Sequence, residues 1–191
     1  MDKYWFELIT GPMSCGKSEE LIRRIRRAMI AKKRVKIFSP VMDTREGKDI
    51  IKSRNGLELA AIKISNSEDI LKYVEYKDDI IAIDELQFFD DNITNVIRQI
   101  VMSGKKVIGC GLEKDFKGDP FGQMPQLLIL ANQVDKLTAI CMKCGNEYAT
   151  CTQRLINGKP ASRKEPQITI EGQDKHETYE ARCLKCWEVA D

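Results

Sequence analysis

The sequence lacks three features that would point to whole classes of protein. Its 31 Lys and Arg nearly balance 29 Asp and Glu, so the basic excess of a DNA-coating protein is missing. No apolar run approaches the 18 residues of a membrane span. The first ten residues mix Asp2, Lys3 and Glu7 with apolar residues and do not resemble a signal peptide. We therefore expect a cytoplasmic protein of 191 residues whose hydrophobic fraction, 42%, suffices for a buried core.

Histidine is scarce, whereas cysteine is not. We expect the only histidine, His176, to be a solvated side chain of a polar stretch, not a ligand or a base. In a reducing cytosol the seven cysteines are expected to be metal ligands or buried thiols instead of disulfides. Five of them lie at or beyond residue 141.

Two C-x-x-C pairs, Cys141/Cys144 and Cys183/Cys186, predict a metal site. Two such pairs can bring four thiolates to tetrahedral Zn²⁺, and a closed set of four predicts a structural ion. Their separation is longer than in the simplest zinc template, so we expect a substantial loop between them. Buried or redox-active thiols are the alternative. We expect the other cysteines to be small buried hydrophobes outside the site: Cys15, Cys110 and Cys151.

Strand and helix patterns alternate through the first 140 residues. This order predicts an α/β fold, a parallel sheet with helices on both faces, followed by a small C-terminal zinc-ribbon domain. We divide the chain into residues 1–140, which bind nucleotide, and 141–191, which bind zinc. The predicted strands are 4–10, 35–38, 61–64, 80–83, 106–110 and 167–170; the predicted helices are 18–31, 67–76 with a cap at Ser67, and 92–103. Residues 40–57 are predicted to form a long surface loop.

Residues 11–18, Gly-Pro-Met-Ser-Cys-Gly-Lys-Ser, match the phosphate-binding loop (P-loop) pattern G-x-x-x-x-G-K-[ST]. The segment follows a predicted strand and opens a predicted helix, as this motif requires. Its glycines let backbone N–H groups surround phosphate oxygens at a helix N-terminus. Lys17 is expected to reach the β- and γ-phosphates and Ser18 to bind Mg²⁺. A glycine-rich turn without a ligand is the alternative.

The apolar strand 80–83 ends in two carboxylates, Asp84 and Glu85. An aspartate there is the expected second metal ligand of a P-loop enzyme, and Glu85 can take a proton from the attacking nucleophile. The alternative is a carboxylate that caps the following loop. The interpretation requires the P-loop strand and this strand to be neighbours, so that Lys17 shares a cleft with Asp84 and Glu85.

Seven segments, in order along nearly the whole chain, resemble thymidine kinase of the cytosolic and bacterial class. The most specific is residues 84–89, Asp-Glu-Leu-Gln-Phe-Phe, taken together with the C-x-x-C pairs. The others are residues 11–18, 111–116, 120–122, 136–141, 152–155 and 179–183. Composition and spacing alone indicate a P-loop nucleotide enzyme with a zinc site; thymidine comes from the resemblance.

The resemblance implies Mg²⁺-dependent transfer of the γ-phosphate of ATP to the 5′-hydroxyl of thymidine in deoxynucleoside salvage, giving thymidine monophosphate and ADP. It implies that Ser18 and Asp84 hold Mg²⁺, that Glu85 is the general base, and that Lys17 and Arg45 stabilise the transferring phosphoryl group. It also implies a homotetramer inhibited by thymidine triphosphate. The implied nucleotide contacts are Gly11, Met13, Ser14, Cys15, Gly16, Lys17, Ser18, Asp84 and Gln87.

The thymidine site implied by the resemblance is more diffuse. In the family, the loop between the zinc ligands closes over the base, which assigns residues 168–179 to a lid anchored at both ends by zinc. The matching residues suit a flat ring, because aromatic faces stack and small polar groups orient it. They are Met13, Phe88, Leu112, Phe116, Phe121, Thr152, Ile170, Gly172 and Tyr179.

Three departures from the family pattern concern the lid and specificity more than the phosphate chemistry. Ser14 stands where many members carry Phe, Arg54 stands where many carry His, and residues 171–179 are about two residues longer than the common lid.

Two further functions remain open at this point. A nucleic-acid module with a P-loop and a zinc ribbon is suggested by the basic run at residues 23–34, although we expect that run to be a solvated or subunit-facing surface. A regulatory protein that binds nucleotide without catalysis is suggested by Ser14.

Overall fold

The computed structural model describes residues 4–41, 50–52, 58–168 and 176–191. Its strands are β1 (Trp5–Thr10), β2 (Val35–Pro40), β3 (Ile50–Lys52), β4 (Glu58–Ala60), β5 (Ile62–Ile64), β6 (Ile80–Ile83), β7 (Lys106–Gly111), β8 (Gln133–Lys136), β9 (Cys151–Ile156), β10 (Lys159–Pro160) and β11 (Glu177–Arg182). Its helices are α1 (Lys17–Ile30), α2 (Asp69–Tyr73), α3 (Ile93–Met102) and α4 (Met124–Leu130), with one 3₁₀ turn at Leu86–Phe88. No helix in these ranges is long and apolar enough to cross a membrane.

The core is a six-stranded parallel sheet in the order β5-β2-β6-β7-β1-β8. Strand β6 shows why both of its faces are covered: Ile81 and Ile83 pack with α2, α3 and α4, whereas Ile80 and Ala82 pack with α1. Side chains alternate across a strand, so a wholly apolar strand needs an apolar partner on each side. The predicted α/β sheet with helices on both faces is confirmed.

The strand order corrects one expectation. The strand before the P-loop, β1, and the strand before Asp84, β6, are not neighbours, because β7 pairs with both of them. Residues at the carboxyl end of β7 therefore lie between the P-loop and the two carboxylates.

The C-terminal part forms a second, antiparallel sheet in the order β10-β9-β11. Three cysteines of the C-x-x-C pairs share a small buried cluster with alanines, which include Ala139 and Ala149. Ala139 and Ala149 also exchange two backbone hydrogen bonds, so residues just before 141 take part in this packing. The division at residue 140 stays a prediction.

Several local predictions were wrong. Ser67 does not cap α2, because its N–H and hydroxyl both donate to Asp90 and the helix begins at Asp69. Residues 40–57 were expected to form a loop, but β3 lies within them and pairs with β4, which follows them. Gln167 and Ile168 lie outside any strand, and the remainder of that predicted strand falls outside the described residues.

Candidate active site and metal centre

The turn from β1 to α1 brings backbone close to backbone. At Gly11 the φ angle is 142°, and a Cβ there would lie 2.4 Å from the carbonyl oxygen of Leu137. A side chain is therefore excluded at this position. Gly16, with a φ angle of 86°, precedes α1 and leaves the first N–H groups of the helix without a side-chain cap. Such free N–H groups at a helix start are suited to phosphate oxygens.

Lys17 is the first residue of α1 and is buried. Its Nζ donates to the carbonyl oxygen of Pro12 at 2.7 Å and lies 3.7 Å from the Sγ of Cys15. The ammonium group is thus held against the P-loop itself, within reach of an anion bound there. Ser18 follows in the first helical turn, and Ser14 is exposed.

Asp84 is buried directly after β6. Its Oδ1 accepts the N–H of Glu85 at 2.9 Å and faces the Sγ of Cys110 on β7 at 2.7 Å. Burial, and next the neighbouring Asp84 carboxylate, raise the pKa of the Cys110 thiol well above its ordinary value, so the thiol donates to the carboxylate.

Cys110 lies between the two parts of the predicted site. On one side β7 pairs with β1, so that Gly111 lies beside Thr10, the residue before the P-loop. On the other side the Cys110 thiol contacts the buried carboxylate of Asp84, which Glu85 follows. The P-loop and the two carboxylates therefore flank the same end of β7, and the cleft predicted between them spans three strands instead of two. That Lys17 shares this cleft stays a prediction. The sequence indicated Cys110 only as a small buried hydrophobe. Its hydrogen-bond partner, Asp84, lies beside it only because β6 and β7 pair.

Glu85 has a left-handed backbone, with φ 50° and ψ 47°, which is unusual for a residue with a side chain. Its Oε2 accepts the amide Nε2 of Gln87 at 2.5 Å. The amide oxygen of Gln87 in turn accepts the N–H of Leu112, at 3.0 Å.

Six of the seven predicted thymidine-site residues that the structure describes form three groups of two linked residues, and the seventh, Leu112, donates its N–H to Gln87. The N–H of Met13 donates to the hydroxyl of Thr152 at 3.1 Å. The rings of Phe88 and Phe121 pack edge to face, with centroids 5.5 Å apart. Phe116 and Tyr179 both face the guanidinium of an arginine that is not among the predicted site residues.

That residue is Arg154, on β9, whose side chain is 2% exposed. Its Cζ lies 5.0 Å from the ring centroid of Phe116 and 6.0 Å from that of Tyr179. It pairs with Glu177 at 2.8 Å and donates to the carbonyl oxygen of Pro166. Arg154 lies within a segment that carried the resemblance, but nothing in its local pattern distinguished a buried arginine from a surface one.

The four cysteines of the C-x-x-C pairs form the candidate metal centre. The Sγ atoms of Cys141, Cys144, Cys183 and Cys186 lie within 4.8 Å of one another. The Sγ atoms of Cys144 and Cys183 are 3.8 Å apart, which matches a tetrahedron with Zn–S bonds of about 2.3 Å. Burial opposes ionisation of Cys141, but backbone N–H groups, first that of Cys183, lower its pKa to about 6. The four residues are positioned to hold a metal ion, and an all-thiolate set suggests zinc.

The remaining predictions have mixed outcomes. Arg45, Arg54, Ile170 and Gly172 lie outside the described residues, as does most of the predicted lid, residues 168–179. His176 is exposed, and Cys151 is buried outside the four-thiol cluster. Cys15 is half-buried and packs against the apolar cluster that includes Ala139 and Ala149, so it is not the fully buried hydrophobe that we expected.

The basic helix also differs from expectation. Arg24 is not solvated; it bonds to three carboxylates, those of Glu7, Glu20 and Asp135, at 2.6 to 2.9 Å. Arg23 remains exposed and pairs with Glu20. At least this part of the run is thus neutralised within the protein.

A comparison with protein families supplies the last observation on the site. The family model described as "Thymidine kinase" matches residues 4–187, nearly the entire chain.

Proposed function

The chain belongs to the thymidine kinase family, and from this premise we propose that it transfers the γ-phosphate of ATP to the 5′-hydroxyl of thymidine, giving thymidine monophosphate and ADP. Membership makes it a thymidine kinase. The use of ATP as the donor, the products and a role in deoxynucleoside salvage belong to the proposal.

The observation that supports the mechanism is the position of the P-loop on one side of the end of β7 and of Asp84 and Glu85 on the other. Phosphoryl transfer needs cations beside the phosphates and a group that accepts the proton of the attacking hydroxyl. In our proposal the P-loop, from Gly11 to Ser18, binds the phosphates through its backbone, and Lys17 turns from Pro12 to the β- and γ-oxygens. Glu85 accepts the proton of the 5′-hydroxyl, and Arg45 adds positive charge to the moving phosphoryl group.

Ser18 and Asp84 are the residues that would hold Mg²⁺, which would offset negative charge on the phosphates. The buried Asp84, with one oxygen already bonded to an N–H and a thiol, suits a ligand with a fixed orientation. Gln87 remains a predicted nucleotide contact.

The thymidine site is proposed at the three linked groups: Met13 with Thr152, Phe88 with Phe121, and Phe116 with Tyr179. Leu112, Ile170 and Gly172 complete the proposed set. Aromatic faces at these positions suit a pyrimidine ring. In our proposal the zinc is structural and holds β9 and β11 in place, since its four thiolates leave no open coordination position.

A cytoplasmic homotetramer inhibited by thymidine triphosphate is proposed on the family assignment alone. Arg24 gives no support to the nucleic-acid alternative, because its charge is neutralised by three carboxylates of the chain itself.

The deciding experiment measures transfer of labelled γ-phosphate from ATP to thymidine by the zinc-loaded protein, with uridine and deoxycytidine as competing acceptors. We expect a thymidine-dependent product that requires Mg²⁺. Glu85→Gln should reduce kcat by a factor on the order of 10² to 10⁴ while ATP still binds. A properly folded protein that gives no thymidine-dependent product would refute the proposal, and full turnover by Glu85→Gln would refute the base assignment.

A further inference from the structure

The side chain of Gln87 connects two strand ends of the candidate site. It lies in the 3₁₀ turn after β6 and is 2% exposed. Its oxygen accepts the N–H of Leu112, which follows β7, and its nitrogen donates to the Oε2 of Glu85.

The orientation of this amide follows from its partners. The N–H of Leu112 can only donate, so it must face the amide oxygen. The NH₂ group then faces Glu85, and an NH₂ group can only donate to a carboxylate. A backbone group thus determines that a hydrogen-bond donor points at the proposed base.

The neighbouring backbone leaves room for this arrangement. A Cβ at Gly111 would lie 2.7 Å from the amide oxygen of Gln87. Any other residue at Gly111 would therefore displace the amide from Leu112 and from Glu85 together.

The hydrogen bond from Gln87 restricts the side chain of Glu85, which has three rotatable bonds and follows a left-handed backbone. A general base is effective only when its oxygen is held within hydrogen-bond reach of the proton it removes.

We propose that Gln87 is a positioning residue: its amide, fixed by Leu112, holds the Glu85 carboxylate in the orientation from which it accepts the proton of the substrate hydroxyl. This inference rests on the proposed function and on Glu85 as its base. It differs from a nucleotide-contacting role for Gln87, because it requires no contact between the amide and ATP.

The test compares Gln87→Met, which keeps the length of the side chain and loses both hydrogen bonds, with the wild-type protein. We expect kcat at saturating ATP and thymidine to fall by about 10- to 100-fold, a part of what a general base contributes. The Kd of ATP should stay within about threefold. Gln123→Met is the matched control, because the Gln123 amide donates to Asp91 at 2.7 Å; its kcat should equal that of the wild type.

A double-mutant cycle separates positioning from general loosening. In the Glu85→Gln background, Gln87→Met should cause no further loss, because there is no base left to position. An equal loss in both backgrounds, an unchanged kcat, or a rise in the Kd of ATP that accounts for the whole effect would each overturn the inference.

Two safeguards keep the result interpretable. Gln87→Asn keeps a polar amide but is one methylene too short to bridge the N–H of Leu112 and the Oε2 of Glu85, so it should fold and also lose at least about 10-fold in kcat at saturation. If Gln87→Met fails to fold, this variant decides the question, and its full activity would contradict the inference. Failure of the proposed function appears separately, as a wild-type protein without phosphoryl transfer or an active Glu85→Gln.

Discussion

The backbone N–H of Met13 donates to the hydroxyl of Thr152 across 139 positions of sequence. Met13 belongs to the P-loop and Thr152 to β9 of the C-terminal sheet. This bond therefore ties the phosphate-binding turn directly to the part of the chain that carries the four-cysteine cluster. Cys15 adds a packing contact with the apolar cluster of alanines and cysteines there.

Replacing Thr152 by Val removes the acceptor while keeping the shape of the side chain. The N–H of Met13 loses its partner, which costs about 1 kcal/mol of unfolding free energy. We also expect the KM of thymidine to rise several-fold, because Met13 and Thr152 both line the proposed base site. Denaturant unfolding and steady-state kinetics measure the two effects. Thr150→Val, whose hydroxyl lies 3.9 Å from the Sγ of Cys151, is the control, and equal kinetics in both variants would contradict the coupling.

Removal of the metal should affect the P-loop as well as the C-terminal sheet. Elemental analysis is expected to give one zinc per chain in the wild type and far less in Cys144→Ser, since metal binding supplies folding energy at such sites. Hydrogen exchange should then increase in β9 and β11, and also at Met13. Cys151→Ser, which changes a buried cysteine outside the cluster, should retain zinc. A Cys144→Ser protein with full metal content and activity would exclude the four-thiolate site.

The sequence predicted the central sheet well because its strands are continuous apolar runs and its longer helices have a clear apolar face. Helix α4 and strand β8 were missed for the opposite reasons. Helix α4 has only seven residues, and β8, Gln-Val-Asp-Lys, is a polar edge strand with little burial to reveal it. Strand β9 is buried, yet its sequence, Cys-Thr-Gln-Arg-Leu-Ile, is half polar and shows no apolar alternation.

The site residues also divide into those that a local sequence pattern predicts and those that it does not. The predicted phosphate and metal residues lie in short local motifs, so residue types at fixed spacing were enough to predict them. Cys110 and Arg154 act through partners that are distant in sequence, such as Asp84 and Phe116. Only the pairing of strands brings these partners together, so a single sequence contains no local signal for their roles.

Glu20 provides a pH-dependent contribution to stability. Hydrogen bonds, first from Arg23 and then from Arg24, outweigh its partial burial and lower its pKa to about 2. Because the folded-state pKa is depressed, the stabilisation is present above the ordinary pKa of about 4.5 and is lost as the pH falls toward 2. Glu20→Gln should therefore lower the unfolding free energy at pH 7 by about 0.5 to 1 kcal/mol, discounted for solvent exposure.

Chemical denaturation at pH 7, 5 and 3, with zinc content checked at each pH, measures this contribution. The difference between wild type and Glu20→Gln should shrink below pH 4.5. The exposed Glu147 offers a control, since Glu147→Gln should change stability little. A difference that stays constant down to pH 3 would show that the carboxylate charge is not responsible.

Arg154 and Glu177 form a buried ion pair whose side chains are 2% and 6% exposed. Arg154→Met would remove the arginine partner of the buried Glu177 carboxylate, which costs about 3 to 5 kcal/mol. The double variant Arg154→Met with Glu177→Gln removes both charges, so it should regain much of that stability. It should not regain thymidine affinity, because the guanidinium between Phe116 and Tyr179 is still missing. Melting temperatures and the KM of thymidine for the wild type, the single variant and the double variant separate the role of Arg154 in stability from its role in binding. If the double variant regained both stability and thymidine affinity, Arg154 would be a structural residue alone.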